Sequence, residues 1–407
     1  MSYKTIQLSK TADIIIGFPF ASEKFNINAQ GIRLVRGKNI TTGNLRWGDD
    51  TRWWDDSSID LSKYMLKADD IVIGMDGSLV GKNYAKISEN DLPLLLVQRV
   101  ACIRAKEGYD QRFLWGCIAS GKFERYIDSI KTGTSIPHIS GGQIGNYLIP
   151  DFDLPTQKKI AAILSALDEK IAINRAINEN LERQISEIYR VWYQKYVCAV
   201  GLPLVESEYG LIPQGWHYSL VGELCKSISI SHKFDAEKLI FLNTGDIEDG
   251  RFLHANYMAV SDMPGQAKKT ILPGDILYSE IRPINKHYAY VTFPSEDYVV
   301  STKLMVIRAS GIDSRRLYHY LTTEDVITKL QMEAESRSGT FPQIRFDNIS
   351  KLPILIADDV TEAAFTTLLH TVYDQIEYNN SENEKLASLR DSLLPRLISG
   401  EIDVSAV

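Results

Sequence analysis

The chain has 407 residues, 44% of them hydrophobic and 24% charged, with a formal net charge of −7 at pH 7. That is the composition of two or three globular domains with sizeable cores. The acidic balance excludes a protein that coats nucleic acid through charge alone, but it leaves site-specific DNA binding open, because a local basic surface can make the phosphate contacts.

The opening residues, Met1 to Lys10, are polar and mixed and read as no signal peptide. Residues 1–153 are rich in β-branched and aromatic residues broken by Gly, Pro, Asn and Asp, the pattern of a mixed α/β globule. Asp70-Ile-Val-Ile reads as a strand and 111–129 as helix. The longest apolar run, Leu92 to Val97, contains Pro93 and is too short to cross a bilayer. A cytoplasmic protein without membrane contact is therefore expected. Cys102, Cys117, Cys198 and Cys225 form no CxxC pair and gather no histidines. That argues against a zinc site and fits free, buried thiols in a reducing compartment.

A long helix follows within 154–198, from near Thr156, just after Pro155, to about Tyr196. Its stripe is Ile160, Ile163, Leu167, Ile171, Asn174, Asn178, Leu181, Ile185, Ile188 and Trp192, in steps mainly of three and four as a coiled-coil seam requires. Residues 199–356 form a second globule, with a strand at Tyr298-Val-Val and helix at 314–335. Residues 357–407 carry a second long helix. It opens near Asp358-Asp359, acids suited to a helix N-terminus, and closes at Pro395 and Gly400. Its stripe is Phe365, Leu368, Val372, Ile376, Asn379, Asn383, Leu386 and Leu393.

The second half repeats the first. Pro137 aligns with Pro342, an offset of 205, and at that offset Asp70-Ile71 meets Asp275-Ile276, Ile139 meets Ile344, Thr156 meets Thr361, and Asn174 and Asn178 meet Asn379 and Asn383. One gapless offset is read from about residue 70 to about residue 190, with drift upstream. Look-alike amphipathic helices would explain the stripes but not the matched Asp-Ile and Pro-x-Ile positions.

Two asparagines interrupt each stripe, and buried Asn at a seam fixes register at a cost in stability. An antiparallel pairing in which facing numbers sum to 557 sets Asn174 on Asn383, Asn178 on Asn379, Ile171 on Leu386, Ile185 on Val372 and Trp192 on Phe365, with one mismatch, Leu167 on Arg390. A parallel pairing would match the asparagines too; the antiparallel one gives the duplicated chain a pseudo-twofold axis. About 40 helical residues span roughly 60 Å, so the pair reads as a spacer between two globules, as a split DNA site needs.

Gly133-Thr-Ser-Ile-Pro-His-Ile-Ser140, a strand ending at Ile149-Pro150, and Leu154-Pro-Thr-Gln-Lys-Lys-Ile-Ala-Ala-Ile-Leu resemble the end of a target-recognition domain and the helix after it in the specificity subunits of Type I restriction–modification enzymes. Ser338-Gly-Thr-Phe-Pro-Gln-Ile-Arg345 resembles the second copy, Ile212-Pro-Gln-Gly-Trp216 the usual opening of such a domain, and Leu393-Leu-Pro-Arg-Leu-Ile-Ser-Gly-Glu-Ile402 the usual close. The likeness covers nearly the whole chain, in order and twice. It departs at the helix opening, where Thr156-Gln157 and Thr361-Glu362 stand in place of a common Glu-Gln pair. The resemblance implies an α/β (α+β) architecture: two similar target-recognition domains separated by two long antiparallel coiled-coil helices. It implies that each domain reads one half of a bipartite target in double-stranded DNA. It also implies that the helices set the gap and dock two methyltransferase (modification) subunits, and that restriction/translocase subunits join them. S-adenosylmethionine, ATP and Mg are then expected on those partners and no cofactor or metal on this chain.

The residues themselves carry no enzyme motif. The Gly-rich cofactor turn and Asn/Asp-Pro-Pro-aromatic motif of a methyltransferase are absent, as is a P-loop. Pro150-Asp151 with Asp168-Glu-Lys170 mimics a nuclease signature, whose carboxylates must converge on a metal. Asp168 and Lys170 fall on the long helix, however, and the second copy has Tyr373-Asp-Gln375. A self-contained nuclease and an interaction scaffold binding protein or glycan stay as alternatives, the scaffold supported by the acidic charge. Catalytic residues are expected to be none.

For DNA contact, Lys131, Thr132, Thr134, Ser135 and His138, with their copies Arg337, Ser338, Thr340, Gln343 and Arg345, mix basic and small polar residues around glycine, suited to phosphate oxygens and base edges. The loops after the Asp-Ile strands add Lys82 and Asn83 in one copy and Arg282, Asn285 and Lys286 in the other. Two further basic stretches are Arg33, Arg36, Lys38, Asn44 and Arg46, and His232, Lys233, Lys268 and Lys269. Each is equally a solvated face or a turn before a strand. Trp47, Trp53 and Trp54 are read as packing rather than stacking on bases. The second helix, with Asp358, Asp359, Glu362, Asp374, Glu377, Glu382 and Glu384, is a poor DNA surface and favours protein partners.

Overall fold

The structure is a computed structural model that describes residues 4–132, 137–337 and 341–404. The chain forms two compact units, Met1–Arg175 with Asn380–Val407, and Ala176–Asn379, so each unit takes part of both long helices.

In the first unit an antiparallel sheet runs in the order Ala12–Ile16, Val100–Ala105, Ile71–Gly74, Tyr84–Lys86. A second sheet orders Trp53–Trp54, Ile32–Val35 and Leu94–Leu96, the last two parallel. Thr5–Gln7 pairs with Leu148–Pro150. The second unit repeats the main order in Cys225–Ile228, Leu304–Ala309, Ile276–Ser279, Tyr288–Tyr290. Its second sheet is Tyr257–Ala259, Lys238–Leu242, Tyr298–Ser301 and one further strand, Ala267–Lys269. His217–Leu220 closes on Pro353–Ile356 as Thr5–Gln7 does on its partner. The central strands are apolar on both faces (Ile71, Val72 and Ile73; Ile276, Leu277 and Tyr278) because helices cover one side and the second sheet the other.

The matched Asp-Ile positions have a physical reason. Buried Asp70 takes a two-pronged bond from Arg104, with Nε 2.8 Å from Oδ1, and accepts the Lys67 amide. Asp275 does the same with Arg308 (2.7 and 2.8 Å) and the Leu272 amide. Each bond ties the start of one strand to the end of its neighbour. The pairs also correct the single gapless offset. It is 205 at the aspartates but 204 at the arginines. At Asp110 and Asp313, whose carboxylates cap the next helices, it is 203.

Those helical stretches are each two helices, Gln111–Ala119 with Gly121–Ile130, and Ser314–Leu321 with Glu324–Arg337. The long helices are Leu154–Tyr193 and Asp359–Ile398. The first starts two residues earlier and ends three earlier than the sequence suggests. The second runs through Pro395, whose ring is tolerated near the end because few turns follow it. Asp358 caps it, accepting from the amides of Val360 and Thr361 at 3.1 Å.

Within each unit the helices pair antiparallel in the expected register. In the first, Asn174 Nδ2 donates to Asn383 Oδ1 (3.0 Å). Arg390, expected against Leu167, turns aside to Asp168 (2.8 Å). In the second, Asn379 Nδ2 donates to Asn178 Oδ1 at 2.7 Å, and Trp192 lies against Phe365 with centroids 5.8 Å apart. Asn178→Leu removes the acceptor of the buried Asn379 amide and is expected to cost about 1–3 kcal/mol in denaturant unfolding, whereas the double change with Asn379→Leu is close to neutral. Equal losses in single and double variants would contradict a direct Asn–Asn bond.

Of the cysteines, Cys102, Cys117 and Cys225 are buried, but Cys198 is exposed, contrary to expectation.

Candidate nucleic-acid interface

In each unit three segments meet where the central strand of the main sheet ends. In the first, the amide of Met75 donates to the Arg99 carbonyl (2.8 Å), Ile139 donates to Met75 (2.9 Å) and Gly77 donates to Pro137 (3.0 Å). Asp76 and His138 are bridge partners. In the second, Glu280 donates to Lys303 (3.0 Å), Ile344 donates to Glu280 (2.8 Å) and Arg282 donates to Pro342 (3.2 Å), while Ile281 and Gln343 are bridge partners. Bond for bond the junctions are copies, built from a strand-end turn, the turn by which the chain crosses from the second sheet to the main sheet, and the segment after a helix pair.

The junctions collect several of the expected residues. His138 and Thr132 are exposed and meet through Oγ1 and Nε2 at 3.2 Å. Lys131 is exposed and leans on Asp128 (2.6 Å). Gln343 accepts from Lys303 Nζ at 3.4 Å, and Arg345 is exposed beside it in sequence. Arg282 and Asn285 are exposed on the turn after the strand, where Lys286 pairs with Glu324. Thr134, Ser135, Ser338 and Thr340 lie outside the described residues, as does the side chain of Arg337.

Other expected residues are occupied elsewhere. Arg33 lies over Trp47, its guanidinium 4.7 Å from the ring centroid, and donates to the Asp91 carbonyl. Arg36 donates to the Asp50 carbonyl and Lys38 pairs with the Asp50 carboxylate, although Gly37 between them sits close to Asp76 of the junction. Asn44 and Arg46 are exposed on a neighbouring turn, where Thr42 bonds the Lys82 carbonyl (2.9 Å). Lys82 pairs with Glu124 (2.9 Å). Asn83 is buried, its amide placed to donate to the carbonyls of Gly74 and Leu79, so it shapes the turn from inside. His232 accepts the Phe234 amide (2.9 Å), and Lys233 and Lys268 are exposed near the second sheet. Lys269 is drawn inward. Burial lowers its pKa, and its ammonium donates to the carbonyls of Thr302 (3.1 Å) and Leu304 (2.8 Å), pinning the turn between them. Trp54 is buried against Phe20.

Arg99 and Lys303 are absent from the sequence-based set. The signal that finds them is Arg99-Val-Ala-Cys-Ile-Arg-Ala against Lys303-Leu-Met-Val-Ile-Arg-Ala, visible at offset 204 and hidden at 205.

The acidic second helix spends much of its charge internally. Glu362 pairs with Arg316, Asp374 with Arg315 (2.6 Å), and Glu382 with Lys170 (3.2 Å). The bonds from Asn174 and Lys170 hold the Glu382 carboxyl below its usual pKa. In the nuclease-like pattern, Asp151 pairs with Lys4 and Asp168 with Arg390, so their carboxylates face different cations. Among the described residues no three His, Cys, Asp or Glu gather as metal ligands, and no helix is long and apolar enough to cross a membrane.

Comparison with known proteins gives these junctions a setting. The family model of the Type I restriction modification DNA specificity domain matches residues 20–183 and again 213–388. The chain is similar to the Type I restriction enzyme HindI specificity subunit of Haemophilus influenzae, 41% identical over 181 residues, 44% of this chain and 39% of that one. It also resembles the MjaIX specificity subunit of Methanocaldococcus jannaschii, 23% identical over 333 residues, 79% of this chain and 75% of that one. The match thus spans about two fifths of the length of the first relative. The crystal structure of the Type I restriction–modification S subunit from M. genitalium shares the fold, with a TM-score of 0.58 at 14% identity over 98% of this chain and 96% of that one.

Proposed function

We propose, from the premise that this chain belongs to the Type I restriction modification DNA specificity family, that it is the DNA-reading subunit of such a complex and that each unit reads one half of a bipartite target. The observation that carries the reading is the duplicated junction. One backbone framework, repeated bond for bond, presents different polar side chains: Asp76 and His138 in one copy, Arg282 and Gln343 in the other. Base edges in the major groove are distinguished by such donors and acceptors, and two frameworks with different side chains suit two different half-sites.

The chain is proposed to lack catalytic residues of its own. Two methyltransferase subunits and the restriction/translocase subunits would supply the chemistry, bringing S-adenosylmethionine, ATP and Mg with them. The helix pair, with its exposed Ile173 and Ile177, supports a docking role toward protein rather than DNA.

The test is to co-express the chain with the methyltransferase of its system, purify the complex and map methylated bases across a genome by single-molecule sequencing. A single split motif with a fixed gap is expected, absent when this chain is omitted. A stable complex whose methylation does not depend on this chain would favour the scaffold reading instead.

A further inference from the structure

Beyond the proline and isoleucine of the framework, the two junctions share one charge, a cation, and differ in the side chains around it. The turn that leads from the second sheet into Val100–Ala105 carries Arg99, and the one that leads into Leu304–Ala309 carries Lys303. Both residues offer their carbonyl to the matching amide of the strand end, from Met75 and from Glu280, so both sit at the same place in the framework. Around them the chemistry changes: Met75 stands where the second copy has Glu280, Asp76 where it has Ile281, His138 where it has Gln343. A contact to the DNA backbone carries no sequence information and can be common to two readers, whereas a contact to a base edge cannot be common if the half-sites differ.

A second contrast concerns the turn after the strand. Gly77 has φ +95° and Arg282, its counterpart, has φ +42°. The amides of both donate to a proline carbonyl, Pro137 and Pro342, so the turn demands a left-handed residue in both copies. Glycine meets that demand freely, while a long side chain is strained there. Strain held at an exposed cation points to a use for the side chain itself.

We propose that Arg99 and Lys303 are equivalent phosphate anchors, one per unit, and that Arg282 reads a base edge in the second half-site, with no counterpart in the first. This rests on the DNA-reading role proposed above. Arg99 is exposed and its guanidinium is suited to two-pronged bonding of a phosphodiester. Lys303 is held in reach by Lys269, which fastens both flanking carbonyls from behind, and in the free protein its ammonium rests on Glu280 (3.2 Å) and Gln343 (3.4 Å). A DNA phosphate arriving at Lys303 would release Gln343 for a base. Arg282 presents the fork that pairs with the O6 and N7 acceptors of guanine.

The experiment uses the complex with its methyltransferase subunits and two duplexes of equal length, one holding the methylated target and one shuffled, titrated over a series of salt concentrations. Arg99→Asn, which tolerates the left-handed backbone of Arg99 (φ +68°), and Lys303→Gln are each expected to weaken binding to both duplexes by the same factor, about tenfold. Each is also expected to lower the slope of log affinity against log salt by about 0.9. The methylated motif should stay unchanged, and Arg99→Lys should keep the slope. Arg282→Gly, which installs the residue of the other copy, is expected to leave thermal unfolding unchanged, to cut the preference for target over shuffled DNA about tenfold or more, and to relax one position in one half of the motif. A loss confined to the target duplex, or a motif altered by the Arg99 or Lys303 variants, overturns the anchor assignment. An unaltered motif in Arg282→Gly overturns the reader. If the unsubstituted complex prefers its target and no variant changes binding, this inference alone fails. If it shows no preference, the DNA-reading role fails and carries this inference with it.

Discussion

Glu362→Gln is expected to cost the second unit about 3 kcal/mol of stability, and adding Arg316→Phe is expected to recover at least half of it. Arg316 has a fully buried side chain, 0% exposed, with its guanidinium 4.3 Å from the Tyr193 centroid, 5.1 Å from that of Tyr189 and 5.5 Å from that of Phe365. Its Nε lies 3.3 Å from Glu362 Oε2, and it donates to the Leu355 carbonyl at 3.1 Å. Removing the carboxylate charge leaves a cation in a low-dielectric site with only ring faces and neutral oxygens to hold it, and breaking such a pair typically costs about 3–5 kcal/mol. The first unit supplies the alternative. Phe113 stands where Arg316 does, counting from the capping aspartates, and Gln157 stands where Glu362 does. Phe113 is buried among apolar neighbours, and Gln157 accepts the Asp110 amide (2.9 Å) and donates to Phe152 (2.8 Å). The fold therefore tolerates either a charged pair or an apolar and an amide side chain, but not half of each. Chemical denaturation of the single and double variants measures this. An undiminished single variant would show that the pair is not coupled.

The second large effect is a loss of stability in acid that depends on His319. Burial first, and the adjacent Arg316 second, push its pKa down to about 3. Its Nδ1 lies 3.0 Å from the Tyr373 hydroxyl, and its Nε2 is buried without a partner. In the unfolded chain the imidazole titrates near its ordinary value, about 6.5. A depressed folded pKa means that the unfolded state binds the extra proton. Stability is therefore full above pH ~6.5 and falls as the pH drops toward 3, by about 1.4 kcal/mol per unit. Near pH 5 the loss attributable to His319 is about 2 kcal/mol. Carboxylates titrate in the same range, so the measurement is the difference between the chain and its His319→Gln variant, unfolded at a series of pH values. The two profiles should converge below pH ~6. Parallel profiles would mean that His319 is protonated equally in both states.

How much of this is legible in the sequence differs by element. The helix register was readable because polar Asn interrupts an apolar stripe twice, at a spacing that repeats in the second copy. The Asp-Ile strand starts were visible as matches, but not their reason, because the partners Arg104 and Arg308 lie about 30 residues downstream at a slightly different offset. That same slip set Arg99 against Leu304 and hid the common cation. Nothing local distinguishes Arg315, which reaches the exposed Asp374, from Arg316, which is fully buried; only the packing of the helix decides. Basic residues such as Arg33, Arg36 and Lys38 looked available for DNA because composition cannot reveal that Trp47 and Asp50 already hold them. The junction itself brings together residues more than 60 positions apart, a closure set by strand order and invisible to any periodicity.

The central claim is that each unit reads its own half of a split target. The most direct measurement replaces residues 199–356 with the corresponding recognition domain of a relative of different specificity, forms the complex with the methyltransferase subunits, and maps the methylated motif. The account predicts that one half of the motif changes while the other half stays as it was. An unchanged motif, or one altered in both halves, would contradict it.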